Sequence, residues 1–143
     1  MNKPPHFFQT NPSSCVSACI RMILDFYGLK KTEFEIRELC GDDGTGLESS
    51  KAVKAILELG FNCDKPDNLA IEDLIDCVSD NLFPIAYLRF NPNAKYAHAV
   101  VVYKISNEKV FVLDPQTGER EIDINQFAEI WSRGSTIIIE NKQ

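Results

Sequence analysis

The chain has 143 residues, of which 44% are hydrophobic and 25% are charged, an ordinary composition for a globular domain long enough to bury a core of its own. The net charge of −6 argues against nucleic acid or an anionic membrane as the main partner. The longest apolar run, residues 99–103, is too short to cross a bilayer. We therefore expect a single domain over residues 1–143, with no membrane insertion by this chain itself.

The five cysteines are odd in number and include no Cys-x-x-Cys pair, so neither a disulfide scaffold nor a zinc site is predicted. The N-terminus lacks the apolar segment of a secretory signal, and together these features favour a reducing, cytoplasmic location. No metal or cofactor is predicted. The acidic residues Asp42, Asp43 and Glu48 are interpreted as a solvated turn before a helix, because they lack the spacing of a calcium-binding loop.

The first predicted helix covers residues 15–27. Ser13 or Ser14 is expected to cap its start, and Gly28 is expected to end it. Most of this helix is apolar, so we expect it to be largely buried, with a single polar stripe facing water. The stripe consists of Ser17, Arg21 and Asp25.

Further helices are predicted next along the chain, and then mostly strands. Capping boxes at residues 32–35 and 45–48 open helices that end at Gly41 and near Leu59, and a fourth helix covers residues 71–80. The inward face of the helix that ends near Leu59 is predicted to consist of Ala52, Val53, Ile56 and Leu57.

The second half of the chain is rich in Val, Ile, Phe and Tyr, which favours strands. The predicted strands cover residues 83–90, 97–105, 110–114 and 136–140, and a short helix capped by Asp123 covers residues 124–131. This order indicates an α+β fold in which N-terminal helices pack on a C-terminal antiparallel sheet.

Three residues have the chemistry of a nucleophilic site. Cys15 lies at the start of the first helix, where unpaired backbone N–H groups stabilise a thiolate and lower the pKa of the thiol. His98 and Asp114 supply the base and the carboxylate that such a nucleophile needs. Gln9, six residues before Cys15, is a candidate oxyanion donor if its side-chain N–H lies near the backbone N–H of Cys15.

Each of these residues also has an ordinary structural explanation. Cys15 is also explained as a small buried hydrophobe, and His98 as a polar residue at a strand edge. Asp114 is also explained as the first residue of a turn, and Gln9 as a residue of the coil. His6, in the N-terminal arm, is interpreted as solvated. Geometry decides between the alternatives for His98 and Asp114. A hairpin loop with an odd number of residues, centred on Asn107, would place both side chains on one face, whereas a two-residue turn would separate them.

Several segments together resemble the bacteriocin-processing peptidases, cysteine peptidase family 39. Residues 9–28 resemble the family's opening, with a glutamine, a gap, the cysteine and an apolar helix that ends in Tyr-Gly. Residues 44–60 resemble its second helical segment, and residues 98–103 resemble its histidine strand. Residues 112–118 resemble its Asp-Pro-x-x-Gly turn, and residues 127–131 its closing helix. The resemblance covers nearly the whole chain in the family's order.

This resemblance implies a papain-like fold, with Cys15 as nucleophile, His98 as general base and acid, Asp114 as the residue that orients His98, and Gln9 as oxyanion donor. It also implies a peptide or protein substrate, cut after a pair of small residues such as Gly-Gly, and an ABC exporter as a candidate partner. The family has Asp before the cysteine and Gly after it, whereas this chain has Ser14 and Val16. No transporter segment follows in the sequence, so we expect a stand-alone relative or an excised domain.

The sequence leaves two other functions open. A non-catalytic module of the same fold would bind peptides without cutting them, and the changed residues beside Cys15 favour that alternative. A deamidase or acyl-transferase would use the same thioester chemistry with a different acceptor. Our leading interpretation is a cysteine peptidase.

Overall fold

The structure, a computed structural model, describes residues 2–142. None of the helices in that range is long and apolar enough to cross a membrane. The helices and strands, in chain order, are α1 (Cys15–Phe26), α2 (Glu33–Cys40), α3 (Ser49–Glu58), β1 (Asn62–Asp64), α4 (Ile71–Ser79), β2 (Ile85–Leu88), β3 (His98–Ser106), β4 (Lys109–Asp114), β5 (Gly118–Asp123), α5 (Ile124–Ile130) and β6 (Trp131–Glu140).

The strands form one antiparallel sheet in the order β1-β6-β2-β3-β4-β5. Successive residues of β3 face opposite sides of this sheet. Ala99 and Val101 pack in a core with residues of α1, α2 and α3, and Val100 and Val102 pack in a second core with residues of α4 and α5. Helices therefore cover both faces, and the predicted α+β class is confirmed.

Local signals predicted the first two helices well. Thr32 accepts a hydrogen bond from the N–H of Glu35, whose side chain accepts in turn from the N–H of Thr32, which is the predicted capping box. Gly28 and Gly41 end their helices at φ +92° and +70°, a region that glycine adopts without steric cost.

The predicted start of α3 is wrong. This helix begins at Ser49, after Glu48, and has no side-chain cap. The Thr45 hydroxyl donates instead to Asp43, at 2.6 Å, and so stabilises the preceding turn. The inward face also differs from the prediction, because Ala55 is buried while Leu57 is 45% exposed.

The polar stripe of α1 is not exposed as predicted. Ser17 is fully buried, and the Arg21 guanidinium lies 3.8 Å from the centre of the Phe7 ring. The N-terminal arm thus packs across part of this stripe, a contact that helical periodicity does not reveal. Ser14 occupies the predicted N-cap position, but its hydroxyl bonds to Asn11 rather than to the helix.

Two strands and one ion pair were not predicted. Strands β1 and β5 are short or highly charged edge strands, which give little periodic signal. The Asp42 side chain is not solvated, because it is 1% exposed and pairs with Arg37 at 3.3 Å. The short helix after Asp123 is confirmed, and the Asp123 carboxylate accepts a hydrogen bond from the N–H of Asn125.

Candidate active site

Cys15 is the first residue of α1, and the chain before it forms a hydrogen-bonded turn. The side-chain oxygen of Asn11 accepts bonds from the N–H and hydroxyl of Ser13, and its carbonyl accepts from the N–H and hydroxyl of Ser14. This turn places the half-buried Cys15 thiol at the electropositive end of α1. The N–H groups of Val16 and Ala99 donate to its sulfur.

His98 lies between Cys15 and Asp114. Its Nε2 is 2.7 Å from Asp114 Oδ1, and its imidazole also hydrogen-bonds with the Cys15 thiol. Because Nε2 contacts Asp114, Nδ1 is the nitrogen left to face the sulfur. The structure thus brings together the three residues that sequence spacing suggested as nucleophile, base and orienting carboxylate.

The route to this geometry differs from the prediction. The β3–β4 hairpin has a two-residue turn, Asn107 and Glu108, with both φ angles positive, and the expected odd-numbered loop is wrong. The side chains still share a face because β3 has a bulge: Val102 pairs with Val112, whereas Lys104 pairs with Phe111.

The residue between those two pairs, Tyr103, is the extra residue of the bulge. On the His98 side of the bulge, Val101 pairs with Leu113, so Asp114 lies opposite Val100. Since Val100 is two residues from His98, His98 and Asp114 have the same parity and lie diagonally across the two strands.

The pKa values of the three groups are coupled. Burial opposes charge on the Cys15 thiol, but hydrogen bonds from His98 and the Ala99 N–H outweigh burial and lower the thiol pKa. Burial likewise opposes charge on His98, but its hydrogen bonds with Asp114 and Cys15 raise its pKa to about 9. At neutral pH these shifts favour a Cys15 thiolate beside a His98 imidazolium.

Asp114 is almost fully buried, with 1% of the residue exposed. Burial alone would raise the pKa of its carboxyl, but hydrogen bonds from His98 and the Gln116 N–H hold the pKa at about 2. Its second oxygen, Oδ2, accepts from Arg120 Nη1 at 3.2 Å. The carboxylate is thus ionised and held from several sides.

Gln9 belongs to an arm that runs along the Asp114 turn. Its N–H donates to the Pro115 carbonyl at 2.8 Å, and its side-chain Nε2 donates to the Asn11 carbonyl at 2.8 Å. Nε2 carries a second N–H beyond this bond, and Oε1 of the same amide is buried with no hydrogen-bond partner among the described residues. Gln9 is therefore tied both to the turn before Cys15 and to the turn after Asp114.

His6 is not solvated as predicted. It is half-buried, and its Nε2 lies 2.6 Å from the carbonyl oxygen of Asp114. The same arm is held at Thr10, whose N–H and hydroxyl donate to the buried Glu33 carboxylate. Spacing could not predict these contacts, because they join residues far apart in the chain.

Cys15 and His98 open onto a cleft of about 630 Å³. Its walls include Val16, next to Cys15, and Tyr87, whose hydroxyl lies 3.0 Å from that of Ser49. A second cavity of about 170 Å³ lies beyond Tyr87. A cleft of this size accommodates several residues of an extended peptide.

The sequence analysis did not predict that Arg120 and Tyr87 lie at this site. For Arg120 a signal existed: the turn of residues 115–117 pairs Asp114 with Gly118, which sets Arg120 diagonally beside Asp114 on β5. Tyr87 carried no such signal, because a tyrosine in a strand is ordinarily a packing residue.

Comparison with known proteins gives a consistent result. The model of the peptidase C39 family matches residues 3–143. The chain is 33% identical, over 125 residues, to the lactococcin-G-processing and transport ATP-binding protein LagD of Lactococcus lactis. That match covers 87% of this chain and 17% of LagD, so the chain spans about a sixth of this relative.

Two solved structures share the fold. A double glycine motif protease from an AMS/PCAT transporter, solved in complex with the leader peptide, has a TM-score of 0.80 at 21% identity, and the match covers 98% of this chain and 93% of that one. The peptidase domain of Streptococcus ComA, a bi-functional ABC transporter involved in quorum sensing, has a TM-score of 0.82 at 20% identity, covering 98% and 100%.

Proposed function

The chain belongs to the peptidase C39 family of cysteine peptidases, and we propose that Cys15, His98 and Asp114 carry out its reaction. Cys15 acts as nucleophile, His98 as general base and acid, and Asp114 orients His98. The observation that carries this proposal is the continuous set of contacts from the Cys15 sulfur through the imidazole to the Asp114 carboxylate. Such a set pairs an activated nucleophile with an oriented base.

In the proposed reaction the Cys15 thiolate attacks the carbonyl carbon of the scissile peptide bond. The carbonyl oxygen becomes an oxyanion, which accepts hydrogen bonds from the second side-chain N–H of Gln9 and the backbone N–H of Cys15. As the C–N bond breaks, the His98 imidazolium protonates the leaving amine. Water then attacks the thioester while neutral His98 takes its proton, releasing a carboxylate product and Cys15.

For the substrate we propose a peptide with small residues before the scissile bond, such as the Gly-Gly end of a leader. The branched Val16 side chain lies in the cleft wall directly beside the nucleophile, and it reduces the space for a substrate side chain there. The names of the relatives support a leader peptide as substrate and an ABC exporter as partner. We place the reaction in the cytoplasm, where thiols stay reduced.

The proposed function is tested with a panel of peptides that differ only in the two residues before the cut. Wild-type protein and Cys15→Ser are incubated with each peptide under reducing conditions, and the products are identified by mass spectrometry. Two fragments whose masses sum to peptide plus water indicate hydrolysis. An intact peptide with one amide converted to acid would instead indicate deamidation. Equal cleavage by Cys15→Ser would refute Cys15 as the nucleophile.

A further inference from the structure

The Asp114 carboxylate has neighbours on both adjacent strands. Asp114 lies opposite Val100 on β3 and pairs with Gly118 on β5. His98 and Arg120 each lie two residues from those partners, so both sit diagonally beside Asp114. His98 contacts Oδ1 at 2.7 Å, and Arg120 contacts Oδ2 at 3.2 Å. Each oxygen of the carboxylate is therefore assigned to a different cationic side chain.

An aromatic ring holds Arg120 in place and also borders His98. The guanidinium of Arg120 lies 4.9 Å from the centre of the Phe90 ring, and that ring is 6.2 Å from the imidazole of His98. Arg120 reaches Asp114 from an exposed edge strand, with 39% of its side chain exposed. The Phe90 contact restricts this long side chain. Arg120 therefore loses less conformational entropy when it binds the Asp114 carboxylate.

Besides Asp114 and Arg120, other titratable groups lie near His98, and Glu48 and Tyr96 line the same cleft. Cys15 on α1 is its direct partner, and Cys19, one turn further along α1, is fully buried with a pKa raised well above its ordinary value, mainly by burial. His6 in the N-terminal arm contacts the carbonyl of Asp114 rather than its carboxylate. Arg120 adds a positive charge to this set, at 3.2 Å from Asp114 Oδ2.

We propose that Arg120 is a positioning residue, which holds the Asp114 carboxylate so that Oδ1 faces His98. The positive charge of Arg120 also limits how strongly the Asp114 carboxylate stabilises protonated His98. This inference rests on the proposed function of the Cys15–His98–Asp114 set. Two effects follow. Loss of the Arg120 hydrogen bond loosens the carboxylate, and loss of the Arg120 charge leaves Asp114 free to stabilise the imidazolium more strongly.

The two effects separate in three variants. Arg120→Gln loses the charge but keeps a polar N–H group on a shorter side chain, Arg120→Lys keeps the charge, and Arg120→Ala loses both. The chain has only two histidines, so His98 can be followed in an NMR pH titration after assignment with His6→Gln. The reactivity of Cys15 is followed as its alkylation rate with iodoacetamide at neutral pH. Neither measurement requires a substrate.

In Arg120→Gln we expect the His98 midpoint to rise by about half a pH unit, whereas in Arg120→Lys it stays near that of the wild type. In Arg120→Ala we expect alkylation of Cys15 to slow severalfold, with a midpoint below that of Arg120→Gln. Lys104→Gln is the matched control, since Lys104 lies over the Phe111 ring at 5.0 Å on β3 and has no contact with Asp114 among those described. Thermal melts establish that each variant is folded.

An unchanged His98 midpoint in Arg120→Gln overturns the electrostatic effect, and wild-type alkylation in Arg120→Ala overturns the positioning effect. If Arg120→Ala does not fold, the positioning effect is judged from Arg120→Lys, in which the planar guanidinium is lost and slower alkylation is expected. A different result, in which wild-type His98 titrates at its ordinary value and Cys15 reacts like an ordinary thiol, overturns the proposed function as well. These outcomes separate a missing effect of Arg120 from a failure of the proposed Cys15–His98–Asp114 set.

Discussion

His98 Nε2 lies 2.7 Å from Asp114 Oδ1, across a hairpin whose two-residue turn would by itself place the two side chains on opposite faces of the sheet. The bulge at Tyr103 restores their common face. Local chain geometry therefore determines whether the His98 imidazole and the Asp114 carboxylate meet at all. Disruption of either partner should be visible in the chemistry of Cys15, which is the third member of the set.

We predict that Cys15 reacts with iodoacetamide at pH 6 about tenfold faster or more than any other cysteine, because its pKa is lowered while those of Cys40 and Cys63 are raised by burial to about 11 and 12. His98→Gln should slow the alkylation of Cys15 severalfold, since it removes the largest contact that stabilises the thiolate. Peptide mass spectrometry gives the rate for each cysteine, so Cys40 and Cys63 are internal controls. Equal rates for Cys15 and these thiols in the wild type would contradict the thiolate–imidazolium pair.

A second prediction concerns acid stability. Burial opposes ionisation of Asp114, but hydrogen bonds from His98 and the Gln116 N–H lower its pKa from the ordinary 3.8 to about 2 in the folded protein. A carboxyl whose pKa is lower in the folded state stabilises the fold above its unfolded pKa, and this contribution disappears as the pH falls through the folded pKa. The expected contribution is about 2 kcal/mol at neutral pH, of which roughly half is lost by pH 3.

The measurement is the free energy of unfolding by denaturant, taken from pH 6 to pH 3 for wild type and Asp114→Asn. The difference between the two proteins should shrink as the pH falls. Glu121→Gln, an exposed position on the neighbouring strand, should follow the wild-type curve. A difference between wild type and Asp114→Asn that stays constant down to pH 3 would contradict the lowered pKa.

Much of the local structure could be predicted from short-range signals. The Thr32–Glu35 capping box is formed by residues three apart, and Gly28 ends α1 because few other residues tolerate its φ. The bulge at Tyr103 could not be predicted in this way, because its contacts are distant in sequence. The Tyr103 hydroxyl donates to Glu119 at 3.0 Å, and the Lys3 ammonium lies 4.9 Å from the centre of its ring.

The same distinction applies to the candidate site. Cys15 was identifiable because the first turn of a helix is electropositive and lowers the pKa of a thiol, and His98 because the chain has only two histidines. The hydrogen bonds that hold Gln9 against Pro115 and Thr10 against Glu33 join residues more than twenty positions apart. They depend on how the N-terminal arm crosses the folded domain, which periodicity and capping signals do not encode.

The proposed oxyanion role of Gln9 gives a third prediction. Gln9→Ala should lower kcat for peptide hydrolysis by about 10²- to 10³-fold, the usual cost of losing one oxyanion donor. Alkylation of Cys15 by iodoacetamide should remain near the wild-type rate, because that reaction forms no oxyanion. Gln126→Ala, an exposed glutamine on α5, is the matched control. Parallel losses in hydrolysis and alkylation would show that Gln9 only supports the structure around Cys15.

The last prediction concerns Val16, which is 7% exposed and forms part of the cleft wall beside Cys15. Val16→Ala removes two methyl groups from that wall and leaves Cys15, His98 and Asp114 in place. We expect kcat/KM to rise for peptides with Ala or Ser before the cut, relative to Gly, because the space beside Cys15 increases. The ratio of kcat/KM values for each pair of peptides is the quantity to measure, since it cancels any change in the fraction of active protein.

Val53→Ala is the control for this experiment, because it removes the same two methyl groups from a half-buried position on α3 that packs against the core. Both variants are expected to lose about 1–2 kcal/mol of stability, which melting curves will show. Only Val16→Ala should change the ratio between peptides. If both variants change it equally, or neither does, the side chain after the nucleophile does not set substrate size, and the preference for small residues must come from another part of the cleft wall, such as Tyr87.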